Sequence, residues 1–206
     1  MAIRYAVEGD LRFISHHDSL RLFERALARA RIPVSYSQGF NPQPRLRIAL
    51  PRPVGVASLD ELLVVEVASE VAPADVLDRL RREMPAGLNL LAAEMLEAGD
   101  RRRPCKVWYS LEIGPSLHAA VAQRAVDILS QEHVMIDRVT PKARTGKAID
   151  IRPYISSIEM TPQRVTWSQT ITQEGTARPS EVLEALGLPS RDYLHRLCRR
   201  ETQYTP

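Results

Sequence analysis

Apolar and polar positions alternate in short blocks along the first hundred residues, and the period of that alternation changes from block to block. Residues 2–7 and 11–14 alternate with a period of two around Glu8-Gly9-Asp10, which predicts a strand or hairpin at the start. From Asp18 to Ala30 the apolar side chains Leu20, Phe23, Leu27 and Ala30 recur at steps of three and four, the stripe of an amphipathic helix that Pro33 closes. Val34–Ser37 and Leu46–Leu50 predict strands on either side of a proline-rich turn, and Glu61–Val67 predicts a nearly continuous aliphatic strand. A second helix over Pro73–Met84 and a strand at Leu88–Leu91 complete the order strand–helix–strand–strand–helix–strand. That order is the ferredoxin-like split βαβ arrangement, in which helices cover one face of an antiparallel sheet.

Residues 99–104, Gly-Asp-Arg-Arg-Arg-Pro, are polar and without apolar periodicity, so they are expected to link residues 1–98 to a second unit over 105–206. There the rhythm restarts with a strand at Lys106–Ile113, a helix at Leu117–Gln131, and strands at Val134–Val139, Ala148–Ile151 and Arg164–Ile171. Pro179, as a first helical residue with its fixed φ, opens a helix carrying Val182, Leu183 and Leu186. The expected fold class is α+β, with two ferredoxin-like units in tandem. Trp108 and Trp167 lie in strand-like runs and are expected in the core, and Cys198 on a core-facing terminal helix.

Composition narrows the chemistry. The 206 residues carry 28 basic and 25 acidic side chains, and only three of the basic ones are lysine, leaving 25 arginines. Arginine presents a planar fork to phosphate and carboxylate that lysine lacks, although codon bias yields the same skew. The two cysteines, Cys105 and Cys198, are far apart, so neither a zinc ribbon nor an iron–sulfur site is expected from this chain alone. No glycine-rich phosphate loop, nucleophile elbow, dinucleotide fingerprint or sequence-specific DNA-binding motif occurs. The N-terminus lacks a signal-peptide apolar region and no run approaches a membrane span, so a reducing, cytoplasmic address without membrane contact is expected.

Three clusters are candidates for function. Arg12-Phe13-Ile14-Ser15-His16-His17-Asp18-Ser19-Leu20-Arg21 spans a helix start, where free N–H groups favour an anion and His16 or His17 can move a proton. The same residues also fit a capping box with Ser15 as the cap and Asp18 as its partner. Arg21, Arg25 and Arg29 fall at i, i+4 and i+8, either a phosphate track or a solvated basic face. Tyr36, Gln38, Phe40, Asn41, Arg45 and Arg47 lie in and beside a loop fixed by Gly39, Pro42 and Pro44. It suits base stacking and edge recognition, or a rigid connection satisfying its own backbone. The basic segments Arg101–Arg103 and 142–147 carry low specificity.

The motifs Leu11-Arg12-Phe13-Ile14-Ser15-His16-His17-Asp18, Phe23-Glu24-Arg25-Ala26-Leu27 and Ile32–Pro44 resemble the bacterial radical SAM-linked protein family, a domain of unknown function. The resemblance continues through Leu50-Pro51, Ile149–Tyr154 and Gly175–Leu183. The family usually has leucine where this chain has His17, which moves weight to His16. The resemblance implies a radical SAM protein as partner and RNA or the ribosome as context. It also places S-adenosylmethionine and the iron–sulfur cluster on that partner, with no cofactor in this chain. The function expected is therefore substrate recognition for a radical SAM enzyme. Two alternatives stay open: a metal-independent RNA-processing or RNA-modifying enzyme using His16, His17 or Asp18, and a purely protein-binding subunit.

Overall fold

The computed structural model describes residues 1–138 and 146–205. It is a mixed α+β structure of two compact units, Met1–Pro104 with Tyr204–Pro206, and Cys105–Gln203. The first unit runs β1 (Ala2–Val7), a 3₁₀ turn (Gly9–Phe13), α1 (His16–Arg29), β2 (Leu46–Ile48), β3 (Ala57–Val65), α2 (Pro73–Arg81) and β4 (Leu88–Glu94). Its strands are ordered β4–β1–β3–β2, each neighbouring pair antiparallel. Phe23, Ala26 and Leu27 of α1 and Val76 and Leu80 of α2 share one buried cluster with Ile3, Tyr5, Leu63 and Val65 of the sheet. Burial of this stripe, rather than helix propensity, holds α1 in place.

Several boundaries differ from expectation for local physical reasons. Residues 11–14 are not a strand, because Gly9 adopts φ +58° and starts a 3₁₀ turn through Phe13. Val34–Ser37 is not a strand either. Only the single bridges Val34 to Val67 and Tyr36 to Pro44 form there, and Pro33, Pro42 and Pro44 bring no N–H to a ladder. Helix α2 stops at Arg81, whose side chain reaches back to the Leu90 carbonyl. Arg103 and Pro104 belong to a strand, not to a linker.

The second unit contains β5 (Arg103–Glu112), α3 (Pro115–Ser130), β6 (Met135–Arg138), β7 (Lys147–Asp150), β8 (Ile155–Thr161), β9 (Arg164–Thr170), α4 (Pro179–Ala185), α5 (Ser190–Tyr193) and β10 (Cys198–Thr205). Its main strands are ordered β10–β5–β9–β8, and β6 pairs with β7 apart from them. With the β6–β7 hairpin set aside, this is the same order as in the first unit. Tyr109 opposite Trp167 and Leu111 opposite Val165 point into the buried side with Val121, Ala125, Ile128, Val182 and Leu183. Trp108 has the opposite parity. It faces Ser168 and is only half-buried, so just Trp167 of the two tryptophans is core. Cys198 lies on β10 instead of a terminal helix. Val139 and residues 142–145 fall outside the described residues. Among the described residues no helix is long and apolar enough to cross a membrane.

Candidate functional site

Helix α1 begins where it does because Ser15, in an extended conformation, turns its Oγ to the Asp18 N–H at 3.1 Å. The same hydroxyl donates to the Asp18 carboxylate at 2.7 Å. That hydrogen bond, with Arg21 nearby, holds the Asp18 carboxyl below its ordinary value. Ser15 and Asp18 thus satisfy each other as a cap, while His17 and Asp18 face solvent.

His16 turns inward. Its Nδ1 is buried with no hydrogen-bond partner among the described residues. Burial, and then the neighbouring His17 ring 5.7 Å away, push its imidazole below the ordinary histidine value, so it is neutral at neutral pH. It lines a cavity of about 10 Å³ together with Tyr5, Ser19, Arg52 and Glu61, walled by Val7, Ile14 and Ile48. That volume is on the scale of one water.

Each polar wall is set by the sheet or by the turn beside it. Glu61, 1% exposed, stands on β3 directly opposite Tyr5 on β1. Arg52 donates to the carbonyls of Arg12 (2.7 Å), Leu11 (3.3 Å) and Val56, stitching the 3₁₀ turn to residues 52–56. Gly55 N–H donates to the same Arg12 carbonyl at 2.7 Å. Tyr5, Ser19, Arg52 and Glu61 do not stand out in the sequence. A carboxylate inside the apolar run of β3 is the one signal that points to them.

The remaining candidates occupy two other places. On α1, Arg21 lies 3.8 Å from Asp18, and Arg25 is exposed further along the helix. Arg29 donates from Nε to Glu83 at 2.7 Å and from its terminal nitrogen to the Glu83 carbonyl. Glu83, just beyond α2, therefore offsets the charge at the end of the arginine row. Arg12 lies in the 3₁₀ turn before α1, its guanidinium 5.0 Å from the Phe13 ring.

Tyr36, Gln38, Phe40 and Asn41 ride on an arm pinned at its base. Ser37 N–H donates to the Gln43 carbonyl at 2.8 Å, and Gln43 N–H to the Ser37 Oγ at 2.9 Å. The arm leaves Tyr36 52% exposed and Phe40 wholly in solvent. Beside it Arg45 forks onto both Glu66 oxygens at 3.2 Å, and Arg47 donates to the Arg101 carbonyl. Arg45 and Arg47, with Leu46, Val64 and Glu66, line an open cleft of about 270 Å³. Among the described residues no group of three or more His, Cys, Asp or Glu side chains is placed to hold a metal ion.

Fold and site together define a mixed α+β protein with a largely antiparallel sheet, a small His–Glu–Arg cavity at a helix start and an exposed aromatic arm. The chain belongs to a family described as uncharacterized protein conserved in bacteria (DUF2344), whose profile matches residues 1–181. No curated protein matches it.

Proposed function

We propose that this chain is a cytoplasmic RNA-binding module that presents substrate to a radical SAM enzyme. The observation that carries the RNA half of this reading is the arm 36–44. An unburied aromatic forgoes hydrophobic stabilisation, yet Phe40 stands fully in solvent on a loop whose base is hydrogen-bonded. Tyr36 and Phe40 offer stacking surfaces, Gln38 and Asn41 offer amides for base edges, and Arg47 offers charge for phosphates, the charge of Arg45 being offset by Glu66. The radical SAM half rests on the resemblance of the Ser-His and Gly-Phe-Asn-Pro motifs. A radical SAM cluster takes three closely spaced cysteines from its protein, and this chain has two, far apart, so cluster and S-adenosylmethionine belong to the partner in this reading. We also read each unit as ferredoxin-like, on the strand order common to β4–β1–β3–β2 and β10–β5–β9–β8.

Titrating the full chain with labelled single-stranded RNA at several salt concentrations tests the binding. Affinity should fall with salt at a slope of about −0.7 per phosphate contact. Affinity indifferent to salt, or a preference for acidic protein over RNA, contradicts the reading.

A second reading is favoured by one observation: a neutral His16 shares a water-sized cavity with Glu61 and Arg52. Such an imidazole suits general base catalysis. Incubation with RNA in EDTA should then give defined cleavage that His16→Ala abolishes. Intact RNA leaves the module reading in place.

A further inference from the structure

The side of the second unit opposite Tyr109 and Trp167 carries a different set of side chains. Lys106, Trp108, Ser110 and Glu112 of β5 share it with Thr166 and Arg164 of β9, by strand register. A pocket of about 210 Å³ opens on it, lined by Ser110, Glu112, Arg164, Arg196, Cys198 and Arg200. Three guanidinium groups therefore meet one carboxylate. Arg164 lies 3.1 Å from Glu112 and matches its charge. Arg196 is fixed by the Glu112 carbonyl at 3.3 Å and by the Tyr193 ring 5.3 Å away, and Arg200 is exposed on β10. The net charge at the pocket is about two positive units, suited to an anion. Next to it lies Trp108, half-buried, with the Lys106 ammonium 5.0 Å from its ring. Alternate residues on a strand are about 7 Å apart, so Trp108 and Ser110 lie within the reach of one nucleotide.

We propose that this face of β5, β9 and β10 binds single-stranded RNA, with a phosphate held by Arg196 and Arg200 and the neighbouring base stacked on Trp108. The ligand class rests on the RNA-binding reading above, but these residues belong to the second unit and the arm to the first. The arginine pair beside an aromatic ring selects the occupant: an acidic peptide would use the arginines and leave the half-buried Trp108 ring without a role.

Intrinsic fluorescence makes the test specific, because Trp167 is fully buried and Trp108 is not. Oligouridylate is titrated into the 206-residue wild type, Trp108→Ala, Arg196→Ala/Arg200→Ala and Phe40→Ala, following both tryptophan emission and anisotropy of a labelled strand. Quenching is expected in the wild type and absent in Trp108→Ala, which binds about ten-fold more weakly for loss of one stacking surface. The double arginine variant should lower the salt slope by about 0.7, the value for the one phosphate that the two side chains share. If these variants bind as the wild type does while Phe40→Ala loses binding, this face is refuted and the arm reading stands. Loss in the face variants alone upholds the face and refutes the arm. Binding by none of the four proteins refutes both.

Discussion

Replacing Glu181 by alanine should destabilise the protein by about 3 kcal/mol, read as a lowered urea midpoint at neutral pH. Breaking a buried ion pair strands its partner charge and costs roughly 3–5 kcal/mol. The lower end applies because Arg138 keeps a fifth of its side chain in solvent, while that of Glu181 is 7% exposed. Glu181 does two jobs at once. It receives Arg138 Nε at 2.6 Å and a terminal nitrogen at 2.7 Å, and it accepts the Arg178 N–H at the start of α4, also at 2.7 Å. Burial alone would raise its carboxyl, but the Arg138 and Arg178 hydrogen bonds outweigh that and hold it below the ordinary glutamate value. A carboxylate depressed in the folded state contributes stability above its unfolded pKa of about 4.3 and loses it as pH falls through the lower folded value. The gap between wild type and Glu181→Gln should therefore be full at pH 7 and shrink below pH 4. A constant gap across that range contradicts the pairing.

Phe23→Ala should cost 3–5 kcal/mol, roughly the value for an aromatic ring removed from a packed core. Phe23 has no exposed surface, and its ring meets Tyr5 edge-on at 4.9 Å and 70°. The same ring seats α1 on β1, whose Tyr5 also lines the His16 cavity. Phe23→Leu, which refills much of the volume, should recover more than half of the loss. A cost below 1 kcal/mol for Phe23→Ala would mean that α1 does not dock through this face.

How much could be read from the chain depended on whether one residue's neighbours are close in sequence. Helix α1 was legible because Leu20, Phe23 and Leu27 repeat at helical spacing and Ser15 caps within four residues. Strand β8 was not, since Ile155-Ser-Ser-Ile-Glu-Met-Thr holds too few apolar residues to alternate. Strand β10 hides for a different reason: one of its buried positions is Arg199, 1% exposed, and one of the groups it packs beside is Tyr109, whose hydroxyl lies 3.4 Å from the guanidinium and which is 90 positions away. The site shows the same division. His16 and the aromatic arm carry local signatures, whereas Glu61 and Arg52 become neighbours of His16 only through the β1–β3 register and the turn that Arg52 ties down. The arginine row looked unbalanced because Glu83, its counterion, lies 54 residues beyond Arg29.

The most direct test of RNA recognition by the arm is the affinity of Phe40→Ala and Tyr36→Ala for single-stranded RNA at one fixed salt concentration, beside the wild type. Both side chains are solvent-exposed, so folding should be unchanged, and each lost stacking surface should weaken binding by about 1–3 kcal/mol. Wild-type affinity in both variants would contradict the account.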